Sequence, residues 1–157
     1  MTRGGRSISQ LEQKGVVPVI GNYTDKASLN EAFKKSRAKM LFLITDFFLA
    51  AKGNYLVEIN QGMMAIDVAK ENGCEFVVFC SVADCDIAPH DVLHFRSKFQ
   101  IEKYLDASGL NYGILRPVAF LDNLDDPANY NPLVEGTVKM LTGCVTLQLV
   151  KQPTIYI

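Results

Sequence analysis

His94, Lys98 and Glu102 stand at i, i+4 and i+8 in this chain. On an α-helix that spacing puts an imidazole, an ammonium and a carboxylate on one face. The imidazole could pass a proton near neutral pH, and the lysine could hold the hydroxyls of a ligand. The plainer alternative is a surface pair between Lys98 and Glu102, which stabilises by only about 0–1 kcal/mol. Cys80, Cys85, His90 and His94 also follow one another closely, and two thiolates with two imidazoles are ligands that zinc takes. However, Cys80 ends the apolar run Phe76-Val77-Val78-Phe79, and the long spacer usual between a Cys pair and a His pair is missing. These cysteines read as reduced structural thiols, and no metal is expected.

Chemistry of this kind needs elements to position it. Short β-rich runs occur at Val16–Ile20, Met40–Thr45, Phe76–Cys80 and Tyr112–Leu115, and helical patterns lie between them at Ser7–Lys14, Ser28–Lys35, Tyr55–Asn72 and His90–Ser108. Asp25 is placed to cap the second helix, and Gly15, Gly73 and Gly109 stand where helices end. Continuous apolar strands alternating with helices predict an α/β fold with a doubly wound parallel sheet. Val145–Val150 is a candidate for one more strand. The whole chain, 1–157, reads as a single domain with an irregular C-terminal segment at 125–157.

Composition narrows the function classes. The chain has 157 residues, 48% of them hydrophobic, with 16 basic and 17 acidic side chains. This length is enough to build the core of one domain, and a net charge of −1 disfavours direct nucleic-acid binding. No apolar run approaches the roughly 20 residues of a spanning helix, and the first residues hold no apolar leader. The expected location is the cytoplasm, with the nucleus as the alternative.

In open parallel sheets, ligands bind beyond the carboxyl ends of the strands. The segments there are Gly21-Asn22-Tyr23, Thr45-Asp46-Phe47, Ser81-Val82-Ala83-Asp84 and Arg116-Pro117-Val118. Their amides and short polar side chains could hold a nucleotide.

From Arg3 to about residue 142, these pieces come in a characteristic order. Gly15-Val16-Val17 and Gly21-Asn22-Tyr23-Thr24-Asp25 are followed by Phe42–Thr45, then by Asn60-Gln61-Gly62 with Asp67-Val68-Ala69-Lys70. Phe76–Val82, His94–Tyr104, Leu115-Arg116-Pro117 and Phe120–Leu124 complete the series. The order resembles the NmrA-like family of atypical short-chain dehydrogenases, which bind NAD(P) on a Rossmann sheet. The resemblance implies that Arg3 favours the 2′-phosphate, hence NADP, with NAD the alternative. It implies an adenine side at Asn22 and Tyr23, and a ribose and diphosphate loop at Thr45 and Phe47. It further implies a nicotinamide side at Ser81 and Val82, a ribose-binding lysine at Lys98, and a carboxamide contact at Pro117 and Val118.

Two departures bear on activity. No G-x-x-G-x-x-G can be drawn through the glycines, so the phosphate turn of the family is missing and the chain reads as N-terminally incomplete by one βα unit. A chain without that turn is expected to bind NADP poorly, and exposed strand edges are expected to drive self-association. The dehydrogenase Tyr-x-x-x-Lys pair is replaced by His94-x-x-x-Lys98. Regulatory members of the family also lack the tyrosine. The resemblance therefore implies a redox-responsive regulator, working on a protein partner without efficient turnover. The alternatives are an NADPH-dependent reductase of a quinone or phenylpropanoid, with Lys98 and His94 as catalytic residues, and a truncated inactive product.

Overall fold

The computed structural model describes residues 7–118 and the strand 148–151, the latter as backbone. In chain order the elements are α1 (Ser7–Gln13), α2 (Lys26–Ser36), β1 (Met40–Ile44), α3 (Tyr55–Glu71), β2 (Phe76–Cys80), α4 (Leu93–Ala107), β3 (Asn111–Arg116) and β4 (Gln148–Lys151). Strands β1, β2 and β3 pair in parallel, and β4 joins β3 antiparallel, giving the order β1-β2-β3-β4. The α/β class with a parallel sheet is as the sequence pattern predicts.

Local chemistry sets the helix boundaries. Asp25 accepts from the amides of Ala27 and Ser28 at 2.9 and 3.1 Å and starts α2. Asn54 does the same for α3, through Leu56 and Val57. Gly73 follows α3 with a φ of +71°, a left-handed conformation that glycine adopts without steric cost. Helix α4 starts at Leu93 and not at His90, because Pro89–Val92 forms a turn and Val92 offers no side-chain cap.

The strand register decides where the core sits. Leu41 pairs with Val77 and Leu43 with Phe79, while Val77 pairs with Tyr112 and Phe79 with Ile114. These residues share one sheet face. That face packs on Leu29 and Phe33 of α2, Ala65, Ile66, Val68 and Ala69 of α3, and Ile101 and Leu105 of α4. The other face carries Met40, Phe42 and Ile44, exposed by 65%, 55% and 53%, beside half-buried Phe76, Val78, Cys80 and Leu115.

One expected strand is not formed. Val16–Ile20 forms no strand of the described sheet, and within the run only Ile20 carries an isolated bridge. Pro18 has no N–H to give to a ladder. Val17 and Ile20 are 80% and 63% exposed, so the run has little buried area to hold it in place. Only Val19 is buried, and β1 is the edge of the described sheet. Val145–Val150 is recovered in part as β4. Arg3 and the rest of the 125–157 segment lie outside the described residues. Among the described residues, no helix is long and apolar enough to cross a membrane.

Candidate functional site

Among the described residues, the carboxyl end of β1 holds a dense polar network. Thr45 follows the strand, Glu58 sits in the first turns of α3, and Ser97 and Lys98 sit in the second turn of α4. The Lys98 Nζ donates to the Thr45 carbonyl at 2.7 Å, to Thr45 Oγ1 at 2.6 Å and to Glu58 Oε1 at 2.7 Å. An ammonium has three N–H groups, and these acceptors match all three. Thr45 Oγ1 in turn donates to Glu58 Oε1 at 2.8 Å, and Ser97 Oγ donates to Glu58 Oε2. Glu58 is fully buried, and the Lys98 side chain is 13% exposed. Lys98 does not pair with Glu102.

Glu102 takes a different partner. Its carboxylate receives Arg116 Nε at 3.0 Å and Nη2 at 2.6 Å, the two-pronged geometry that suits a guanidinium. Arg116 Nη1 reaches Asp86 at 3.1 Å, and the Cys85 thiol donates to Glu102 Oε1 at 3.3 Å. The Glu102 bond holds the Arg116 guanidinium charged well above its ordinary range. Burial, reinforced by the Glu102 charge, pushes the Cys85 thiol up to about 11. It stays protonated at neutral pH.

An aromatic cluster gathers around His94, one helical turn before Lys98. Asp46 Oδ1 accepts from the amides of Phe48 and Leu49, both at 3.0 Å, and so shapes the turn that presents Phe47 and Phe48. Their ring centroids lie 5.8 and 5.5 Å from the His94 ring, and that of Phe95 lies 4.8 Å from it. Desolvation among these rings lowers the His94 pKa; the Glu58 charge opposes that shift and the Lys98 charge adds to it.

The structure therefore brings together Thr45, Phe47, His94 and Lys98. It gathers a second group at the ends of β2 and β3, where the Ser81 amide donates to the Leu115 carbonyl at 2.8 Å and the Ala83 amide to the Pro117 carbonyl at 3.0 Å. Ser81 is buried, and Val82, Pro117 and Val118 are half-buried. Asn22 is exposed on the loop before α2, where its Oδ1 accepts from the Thr24 amide. Tyr23 packs on the core, and burial raises its hydroxyl pKa. Glu58 and Ser97 are site residues that the sequence did not single out, and Arg116 stood there only as part of a strand-end segment. Glu58 lies 40 residues from Lys98, and the only sequence signal for it is a carboxylate on the helix stripe that continues through Gln61, Gly62 and Ala65.

A cavity of about 500 Å³ lies elsewhere, between the Val16–Ile20 run and the β1 edge, lined by Val17, Val19, Tyr23, Phe33, Leu41 and Phe42 among others. Its walls are mostly apolar. It holds neither Lys98 nor His94, so size alone does not mark the chemistry here.

Residues 2–147 match the NmrA-like family. The chain belongs to that family. Among solved structures, this NmrA-like chain is similar to the triphenylmethane reductase of Citrobacter sp. complexed with NADP(H). The identity is 19% and the TM-score 0.66, over 76% of this chain and 39% of that one. It is also similar to an NADPH-dependent quinone oxidoreductase of Escherichia coli complexed with NADPH, at 24% identity and a TM-score of 0.59, over 73% and 37% of the two chains. The UDP-glucose 4-epimerase of Thermus thermophilus, complexed with NAD, matches at 20% identity and a TM-score of 0.51, over 66% and 41%. These likenesses establish the Rossmann-type fold. The chain spans less than half the length of each of these proteins.

Proposed function

We propose that this NmrA-like chain takes NADP(H) at the carboxyl ends of β1, β2 and β3, and that it responds to nucleotide redox state without efficient turnover. NAD is the weaker ligand in this reading, since Arg3 would meet only the 2′-phosphate of NADP. Thr45, Phe47 and Lys98 would face the ribose and diphosphate. Ser81, Val82, Pro117 and Val118 would line the nicotinamide, and Asn22 and Tyr23 the adenine. The nucleotide supplies hydride chemistry when bound; the chain supplies its place.

The observation that carries the reading is the state of Lys98. Its N–H groups point at Thr45 and Glu58, and the imidazole in the tyrosine's position is desolvated among Phe47, Phe48 and Phe95. An imidazole held neutral is a poor general acid at pH 7. The described cysteines carry no disulfide, and burial raises the pKa of both Cys80 and Cys85. Redox response is thus better served by the nucleotide than by thiols. Reduced thiols also suit the cytoplasm or nucleus, where a regulator would meet its protein partner.

NADP+ titration followed by backbone amide shifts tests this reading. Weak but saturable binding is expected, because the sequence has no glycine-rich turn to supply diphosphate donors. Lys98→Met should weaken it about tenfold or more, the value of a hydrogen bond to a charged group. Lys103→Ala should leave it within twofold, because Lys103 lies exposed over the Phe99 ring. Equal effects of the two substitutions would remove Lys98 from the site.

One observation favours a second reading. Phe48, whose ring lies 5.5 Å from His94, and Leu93 next to it in the chain are both exposed, and such a rim suits a planar apolar substrate. A reductase would consume NADPH when a quinone is added, and His94→Ala would slow it; a regulator would show neither.

A further inference from the structure

Glu58 is a fully buried carboxylate with partners from two other parts of the chain: Thr45 after β1, and Ser97 and Lys98 on α4. Stability alone is a weak reason for such a group, because well-packed apolar residues often serve as well as a buried ion pair. What the arrangement does provide is placement. A lysine is a point charge on a flexible four-carbon stem, and this one is held to three acceptors within 2.7 Å. Two of the acceptors are neutral oxygens of Thr45; only Glu58 is anionic. Ser97 fixes the far oxygen of Glu58, so the carboxylate cannot swing away.

We infer that Glu58 is the positioning residue of this site, holding the Lys98 ammonium at the carboxyl end of β1 where a ribose hydroxyl would meet it. This rests on the reading of Lys98 as a nucleotide contact. A ligand hydroxyl can join only when one present acceptor yields. The Thr45 hydroxyl is that acceptor, because the Glu58 carboxylate attracts the ammonium as an opposite charge and the neutral hydroxyl does not. Thr45 Oγ1 retains its bond to Glu58, so the exchange leaves no buried hydroxyl without a partner.

The test uses the full chain and has a readout free of ligand. A buried, hydrogen-bonded ammonium exchanges its protons slowly enough to give a cross-peak in lysine-selective 1H–15N spectra, and Lys98→Met assigns it. In Glu58→Gln that peak is expected to vanish or move, whereas Glu71→Gln, which strips only the exposed Lys26 pair, should leave it in place. With NADP+ added, Glu58→Gln should weaken binding about tenfold in the parent chain. In the Lys98→Met background the same change should cost less than twofold. An unmoved Lys98 peak, or equal weakening in both backgrounds, would overturn the inference. Binding indifferent to Lys98→Met would instead end the nucleotide reading of Lys98, and the cross-peak would then decide alone whether Glu58 places the ammonium. Should Glu58→Gln fail to fold, Glu58→Asp keeps the charge and withdraws it by one methylene; a displaced peak supports the inference and an unmoved one overturns it.

Discussion

Lys98 and Glu102 stand one helical turn apart, yet each takes its ionic partner from another element. Lys98 goes to Glu58 on α3, and Glu102 to Arg116 at the end of β3. Their burial explains the choice. An exposed i, i+4 pair stabilises by a few tenths of a kcal/mol, whereas an unpaired charge in the interior costs several. His94 on the same face has another fate, since its neighbours are mainly rings. Its pKa is lowered by desolvation first, with Glu58 opposing and Lys98 reinforcing the shift. An NMR titration of the His94 ring should therefore give a midpoint below the ordinary 6.5. Lys98→Met should raise that midpoint and Glu58→Gln should lower it further. The sign carries over to stability. The unfolded imidazole takes up its proton at higher pH than the folded one, so this contribution is lost as pH falls below 6.5 through the folded value. A midpoint above 6.5 would show that the aromatic cluster does not desolvate the ring.

Two of the three strand ends in the site are tied to helices behind them. Lys98 and Glu58 tie the β1 end to α3 and α4, and Glu102 with Arg116 ties the β3 end to α4. These ties require α3 and α4 to pack closely, and Gly62 is where they meet. A Cβ added there would lie 2.6 Å from Ile101 Cδ1 and 2.8 Å from Cγ1, and Ile101 is fully buried. Overpacking a core typically costs about 1–3 kcal/mol, against a helix-propensity gain of about 1 kcal/mol for replacing glycine. Gly62→Ala should thus destabilise the chain, read as a lower urea midpoint with an unchanged slope. A raised midpoint would mean that Ile101 repacks freely. The same scale shows how much of the fold was legible. The Asp25 cap, the apolar runs at β1, β2 and β3 and the glycine after α3 are local signals, and the structure follows them. The run at Val16–Ile20 carries the same β-branched residues, but the proline inside it is the better guide. Helix α4 starts three residues later than its periodicity suggests, because nothing local marks the start but the turn at Pro89.

At the scale of the molecule, the described helices α2, α3 and α4 pack the Leu43 and Phe79 face of the sheet. The opposite face shows Met40, Phe42 and Ile44 to solvent at the β1 edge. Among the described residues no strand pairs with that edge, and unpaired backbone beside exposed apolar side chains is a template for association. Self-association through this edge is expected to grow with concentration in sedimentation velocity. Phe42→Lys should shift the distribution toward monomer at little cost to the fold, since Phe42 is already 55% exposed. A distribution that ignores the substitution would place the contact elsewhere.

Alternation of apolar runs with helical periods was enough to determine an α/β fold with a parallel sheet, because strand and helix periodicities are properties of neighbouring residues. Rossmann logic then placed Thr45, Phe47, Ser81, Val82, Pro117 and Val118 beyond the strand ends, since a parallel sheet sends every such end to one side. The face shared by His94, Lys98 and Glu102 was equally legible, as it needs only about 3.6 residues per turn. What that face does was decided by the tertiary structure. Glu58 and Arg116 lie 40 and 14 residues from the groups they hold, and their claim on Lys98 and Glu102 arises only when packing removes water from all four charges. Periodicity reports which side of a helix a residue occupies; only the neighbouring elements determine which charge it meets there.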